Sequence, residues 1–435
     1  MTRKSFLQTA GLLVTASAGQ MSGQKANGDA RTSIADSPEG VCRLIRNRIE
    51  TLLREPQPAL YVRHLRSVIA LCDEEIIRLQ FAGVGRDGQT KELLGYLKAI
   101  EAGLSDDGGR AETYLANGKR ALNLARVSRS DGTLQPYAVG LPSRWDANTT
   151  YPLLVELHGR EADSPLGLVS STFLRHQEDQ SPKDEAITLR PWLRGNGAWR
   201  EDNGSEPDIW EAIDDVKSFA KLDPDRWYIS GHSWGGDDVW AIVQRTPDLW
   251  AAAGIMSGHP GSAPPELGLV PNARHVPFYL WLGDQDPIEN RKPAFEEFRD
   301  ALTSVGDPPT VVVAKGVGHN PRQQDRAALR HWLFEHIRRR PSHFSFVADT
   351  PKHRGIWGIS IPQRYSLAYG NAEPRVSFEC WIESSTIRIQ TSEAKELTVD
   401  LGPGGLSVPG AATLIVDGET RFEGIAPQKP LSLAL

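Results

Sequence analysis

Apolar positions change their spacing twice along this chain. From residue 38 to residue 104, Val41, Leu44, Ile45, Ile49, Leu52 and Leu53, and then Leu65, Ile69, Ile76 and Ile77, recur at intervals of three and four. That is the spacing of a buried helix face. Pro56 and Pro58 separate the two runs, so a small helical hairpin is expected ahead of the main domain. Asp106-Asp107-Gly108-Gly109 forms a turn-rich joint, and beyond it strands alternate with helices. Residues 122–127 and 135–141 predict strands joined through an Asp131-Gly132 turn. The apolar run over residues 151–157, which carries one charge at Glu156, predicts a buried parallel strand that stops at His158-Gly159.

A helix is expected from Ser205-Glu206-Pro207-Asp208, where Ser205 and Asp208 suit a capping box and Ile209, Ile213, Val216 and Ala220 share a stripe. Residues 226–230 predict a strand, followed at once by a helix from Trp234 carrying Val239, Ile242 and Val243. Further strands are expected at 251–257, 278–282 and 310–314, and helices at 293–305 and 323–338. Interleaved strands and helices imply a mainly parallel sheet covered on both faces. After Pro341 the period falls to two, through Val376/Phe378, Ile387/Ile389, Leu397/Val399/Leu401 and Leu414/Val416. Turns fall at Pro403-Gly404-Gly405 and Asp417-Gly418, which predicts a small antiparallel β module. The expected organisation is a helical segment over 19–105, an α/β domain over 106–340 and the β module over 341–435.

Gly231-His232-Ser233-Trp234-Gly235 fits G-x-S-x-G between a predicted strand and a predicted helix. A serine on so sharp a turn needs neighbours without side chains, and the following helix start favours negative charge. A serine hydroxyl is a weak nucleophile at neutral pH and needs a base. Of eleven histidines, His319 has the best context, in Gly316-Val317-Gly318-His319-Asn320 directly after an apolar strand. His232 adjoins the serine but is expected to point elsewhere, while His331 and His336 fall on a predicted amphipathic helix. An acid that orients the imidazole should follow a strand between these two residues. Gly283-Asp284-Gln285-Asp286-Pro287 supplies Asp286 as first choice, with Asp284 the alternative and otherwise a turn-stiffening residue. Oxyanion donors are expected from the backbone of Trp234 and of the Gly159-Arg160 loop.

Composition narrows the partners. With 435 residues there is room for a catalytic domain and smaller attachments. The net charge of −6 and a pI near 6.0, with no basic stretch interleaved with aromatics, argue against nucleic acid. No Cys/His cluster has zinc spacing, and no cofactor is implied. Arg3-Lys4, an apolar run from Phe6 to Val14 and Ala16-Ser17-Ala18 read as an export signal over residues 1–18. The run is too short for stable membrane insertion. Thr2-Arg3-Lys4-Ser5-Phe6-Leu7 resembles a twin-arginine signal with lysine in the second place, so the translocon stays open. A periplasmic or extracellular protein is expected. Cys42, Cys72 and Cys380 are too few for a disulfide framework; Cys42 and Cys72 either pair or remain buried thiols.

These residues together make residues 134–338 resemble the α/β-hydrolase superfamily, and within it secreted esterases and prolyl oligopeptidase-like hydrolases. Gln135-Pro136-Tyr137, the Leu-His-Gly loop, Glu206-Pro207-Asp208, Gly-His-Ser-Trp-Gly-Gly and Gly-Val-Gly-His-Asn carry the likeness over about half the chain. The resemblance implies Ser233 as nucleophile, Asp286 as acid, His319 as base, and Trp234 and Gly159-Arg160 as oxyanion donors. Where prolyl oligopeptidases have a β-propeller, a short helical segment stands here. Feruloyl and acetyl-xylan esterases and polyester depolymerases are therefore the nearer analogy. The expectation is hydrolysis of a carboxylic ester of the plant-polysaccharide or aryl type; peptide cleavage and non-catalytic glycan binding are the alternatives. Trp192, Trp199 and Trp210 lie in the insert before the nucleophile, a position from which aromatic faces can overhang a site, although core filling is the commoner role. Arg160, Arg194 and Arg200 are candidates to pair a substrate carboxylate.

Overall fold

The computed structural model describes residues 37–82, 87–106, 121–142, 145–159, 186–192, 205–258, 269–288, 291–306, 308–348, 355–362 and 376–435. The expected signal at 1–18 and the joint at 107–109 lie outside them. Three helices come first: α1 (Pro38–Leu52), α2 (Ala59–Ala82) and α3 (Asp87–Asp106). The hairpin expected from the sequence is thus a three-helix layer. The third helix, α3, lies beyond the two runs that define the expected hairpin. Ser37 caps α1, its hydroxyl accepting the Gly40 N–H at 3.1 Å, with Pro38 in the first turn. Cys42 and Cys72 are buried as free thiols, and a hydrogen bond from the Cys72 thiol to Cys42, together with burial, pushes the Cys72 thiol up.

The central sheet has eight strands: β1 (Ala121–Val127), β2 (Leu134–Gly140), β3 (Thr150–Leu157), β4 (Ile187–Pro191), β5 (Lys221–His232), β6 (Ala252–Met256), β7 (Phe278–Gly283) and β8 (Thr310–Ala314). Their order is β1-β2-β4-β3-β5-β6-β7-β8. All neighbouring pairs from β4 to β8 are parallel, while β2 runs antiparallel to both β1 and β4. β4 is not among the predicted strands. Its Arg190 guanidinium lies 3.4 Å from the Glu156 carboxylate, and that buried charge breaks the apolar run by which such a strand is read.

Successive strand residues serve opposite faces. Leu153, Val155, Ile229, Ile255 and Leu280 join one core together with α4 (Ser205–Lys217), α5 (Trp234–Val243) and α6 (Arg291–Val305). Leu154, Tyr228, Met256 and Trp281 meet Leu329 and Leu333 of α7 (Gln323–Phe334) on the other. α7 ends at Phe334 rather than residue 338, because the chain turns away and the Arg338 N–H donates to Asp225 O at 2.8 Å. His336 therefore lies beyond the helix. The layer α1–α3 shares the first core, α2 packing on β1. There the Asn123 N–H donates to Nδ1 of the buried His64 at 2.9 Å. This strand order and these two covered faces are the α/β-hydrolase architecture.

Beyond residue 341 a separate core lies between two sheets. One holds β9 (His343–Val347), β12 (Ser377–Glu383), β13 (Thr386–Ser392), β15 (Ala411–Val416) and β16 (Glu419–Ile425); the other holds β10 (Gly355–Ile356), β11 (Ile359–Ser360), β14 (Glu396–Val399) and β17 (Leu431–Ala434). The module is not wholly antiparallel: β13 and β15 pair in parallel. β14, which separates them in sequence, belongs to the opposite sheet, so the chain crosses over and returns in the same direction. Asp417 and Gly418, both at positive φ, make the expected hairpin turn.

Candidate active site

Ser233 sits between the end of β5 and the start of α5 at φ 56° and ψ −124°, a conformation that L residues rarely hold. Close packing enforces it. A Cβ on Gly235 would stand 2.1 Å from Leu157 O, so only glycine lets α5 approach the end of β3. The Ser233 N–H donates to Met256 O at 2.9 Å, and Ser233 O accepts from the Gly236 and Asp237 N–H groups at 2.9 and 3.1 Å. The serine is thereby lifted to the carboxyl edge of the sheet.

Two further loops reach the same edge. After β7, the Asp284 N–H donates to Ala314 O at 3.1 Å and the Gln285 N–H to Val317 O at 2.9 Å. The Gly316 N–H in turn donates to Asp284 Oδ1 at 2.7 Å. Asp284 thus ties the acid loop to the histidine loop. Asp286, with its side chain 4% exposed, lies 2.8 Å from His319 Nδ1 through Oδ2. His319 Nε2 lies 2.9 Å from Ser233 Oγ. A carboxylate only accepts, so Nδ1 carries the proton and Nε2 is left to accept from the serine hydroxyl. Burial works against ionisation of Asp286, but the hydrogen bonds from His319 and from the Ile288 N–H outweigh it and hold its carboxyl below the usual carboxylate range.

The histidine next to Ser233 has a use that its sequence position does not reveal. His232 Nε2 donates to His319 O at 3.0 Å, and the two rings lie 4.9 Å apart. Burial lowers the His232 pKa to about 3, so it braces the His319 loop as a neutral ring. His158 is likewise buried, its Nδ1 donating to Gly159 O at 2.7 Å, and burial lowers its pKa to about 3. Gly159 runs against Ser233: a Cβ there would lie 2.9 Å from His232 O and 3.0 Å from Ser233 Cβ. Trp234 opens α5, at the helix end whose dipole favours negative charge.

Arg160, Arg194, Arg200 and Trp199 lie outside the described residues. Trp192 is half-buried just after β4. Trp210 packs beside Trp250, ring centroids 6.1 Å apart, with its indole N–H on Glu206 at 3.2 Å. Among the described residues no group of three His, Cys, Asp or Glu side chains is gathered to hold a metal ion, and no helix is long and apolar enough to cross a membrane.

No protein-family model matches the chain, and no curated protein does. Solved structures similar to it include a thermostable esterase at 20% identity, covering 50% of this chain and 63% of that one, with a TM-score of 0.39. A CE1 ferulic acid esterase from Anaeromyces mucronatus, in complex with ferulic acid, is similar at 16% identity over 50% of this chain and 90% of its own, TM-score 0.39. The fluorophosphonate-binding serine hydrolase F of Staphylococcus aureus is similar at 18% identity over 49% of this chain and 98% of its own, TM-score 0.39. This chain thus spans less than two thirds of the thermostable esterase.

Proposed function

We propose that this protein is a serine hydrolase that cleaves carboxylic esters through an acyl-enzyme. The observation that carries the reading is the unbroken chain of contacts Asp286–His319–Ser233 at 2.8 and 2.9 Å on the carboxyl edge of the sheet. As Ser233 Oγ attacks the ester carbonyl carbon, its proton passes to His319 Nε2, and Asp286 stabilises the resulting imidazolium. Charge developing on the carbonyl oxygen is met by backbone N–H groups, that of Trp234 and those of the Gly159-Arg160 loop. His319 then returns the proton to the departing alcohol, leaving Ser233 acylated. Water, deprotonated by the same imidazole, releases the acid and restores the hydroxyl. The mechanism calls on no cofactor.

Aryl esters and esters borne on plant polysaccharides are the proposed substrates, and the compartment proposed is periplasmic or extracellular. The latter rests on the Arg3-Lys4, apolar and Ala16-Ser17-Ala18 pattern. Purified protein should turn over p-nitrophenyl acetate, methyl ferulate or acetylated xylan. Ser233→Ala should lose roughly 10⁴-fold or more of kcat. Turnover confined to proline-containing peptides would replace the ester reading with a peptidase, and none on any substrate by folded protein would favour a non-catalytic binder. Cell fractionation with N-terminal sequencing should find a mature chain starting near Gly19; an uncleaved cytoplasmic product would contradict export.

A further inference from the structure

We propose that Arg291 is a positioning residue for the catalytic carboxylate, acting through Ser257; the inference rests on the hydrolase reading above. Arg291 opens α6, close behind the Asp286 loop, with its side chain only 4% exposed. One guanidinium nitrogen donates to the Ser257 carbonyl and also lies 3.5 Å from Asp237 Oδ1, in the first turn of the nucleophile helix. Arg291 therefore bridges α5 and the segment just after β6.

Ser257 is the reason that bridge matters. It is fully buried at φ 48°, an angle costly for a residue with a Cβ unless its surroundings fix it. Its N–H is held by Trp281 O at 2.8 Å, and the carbonyl of its neighbour Met256 holds the Ser233 N–H. Arg291 holds its own carbonyl. Its hydroxyl makes no full hydrogen bond, yet lies near enough to Asp286 to favour the ionised carboxylate. One residue thus touches the strand that leads to Asp286 and adjoins the residue that anchors the Ser233 N–H.

Stability alone does not account for an arginine here. A buried guanidinium is costly unless its donors are met, and Arg291 Nε is buried without a hydrogen-bond partner among the described residues. An apolar side chain would fill the same space without that cost. What arginine adds is a fixed fork tying Ser257 to Asp237. Asp237 is the carboxylate beside it, and its charge is among the causes that lower the pKa of the neutral His232 ring.

The test compares wild type with Arg291→Lys, Arg291→Gln and Ser257→Ala on p-nitrophenyl acetate, recording kcat, KM, the pH profile of kcat/KM and thermal melting. A misplaced acid should lower kcat by about 10- to 100-fold in Arg291→Gln with KM nearly unchanged. Arg291→Lys should lose less, and Ser257→Ala less again. In Ser257→Ala and Arg291→Lys, which keep the positive charge, the acid limb of kcat/KM should move to lower pH, because an imidazole with a poorly placed carboxylate holds its proton less tightly. Combining Ser257→Ala with Arg291→Gln should add little beyond Arg291→Gln alone, as expected of residues acting in series. If Arg291→Gln does not fold, the lysine and Ser257 variants carry the test. Folded variants with wild-type kcat and an unmoved acid limb, or with lowered melting as their only change, overturn this proposal and leave the hydrolase reading standing. A wild type that turns over no ester removes both.

Discussion

The strained backbone at Ser233 depends on neighbours that have no room for a side chain. Gly159 is one of them, and Gly159→Ala should press a methyl against His232 O and Ser233 Cβ, which lie 2.9 and 3.0 Å from the Cβ position. The expected result is kcat reduced by about tenfold or more, measured on an aryl acetate, in a protein that still folds. Asp286→Asn keeps the shape but favours the wrong imidazole tautomer, and kcat should fall by about 10⁴. Ser233 and His319 were legible because glycine-bracketed residues after apolar strands leave a local trace. Asp286 was separable from Asp284 only as a preference. Coordinates divide their contacts, since Asp284 accepts from the Gly316 N–H while Asp286 meets the imidazole. The bracing contact of His232 was not legible at all, because its partner lies 87 residues away.

β7 is apolar throughout and was readable for the same reason that it is buried, while β3 stayed readable because its apolar stretch precedes its single charge, Glu156. β4 was hidden by Arg190, and α3 has no counterpart in the two helical runs read from spacing. Burial within these elements also sets a pH dependence. His64, His158 and His232 have pKa values lowered by burial from 6.5 to about 4, 3 and 3. The unfolded chain therefore binds more protons than the folded one below about pH 6.5, and stability is lost as pH falls through that window. The loss is at most about 1.4 kcal/mol per pH unit for each histidine. Asp286 adds to it at lower pH, since its depressed carboxyl stabilises the fold only above the unfolded carboxylate value, and that contribution fades as pH falls through the folded one. Urea unfolding midpoints should be clearly lower at pH 5 than at pH 7, and His64→Gln, which can still accept the Asn123 N–H, should flatten the dependence. Equal midpoints would contradict it.

Across the whole molecule, the β module docks at the edge of the sheet opposite the site. Asn272, just before β7, donates to Gln244 O and Val347 O at 2.9 Å each and accepts the Val347 N–H at 2.7 Å. Asp248, before β6, accepts the Trp357 N–H at 3.0 Å, with the Arg338 guanidinium 5.0 Å over that indole. Asn272→Ala leaves buried polar groups unmet and should cost about 1–3 kcal/mol by urea titration, while kcat holds because Ser233, His319 and Asp286 lie at the far edge. The period-two pattern showed the module's strands but not its parallel β13–β15 pair, which depends on β14 crossing to the other sheet. The most direct test of the central claim is intact-mass and peptide-level analysis after treatment with a fluorophosphonate. A single adduct on the peptide bearing Ser233, absent in Ser233→Ala and formed far more slowly in His319→Ala, is the expected result. Folded protein that takes up no label, or takes it up at another residue, would contradict the account.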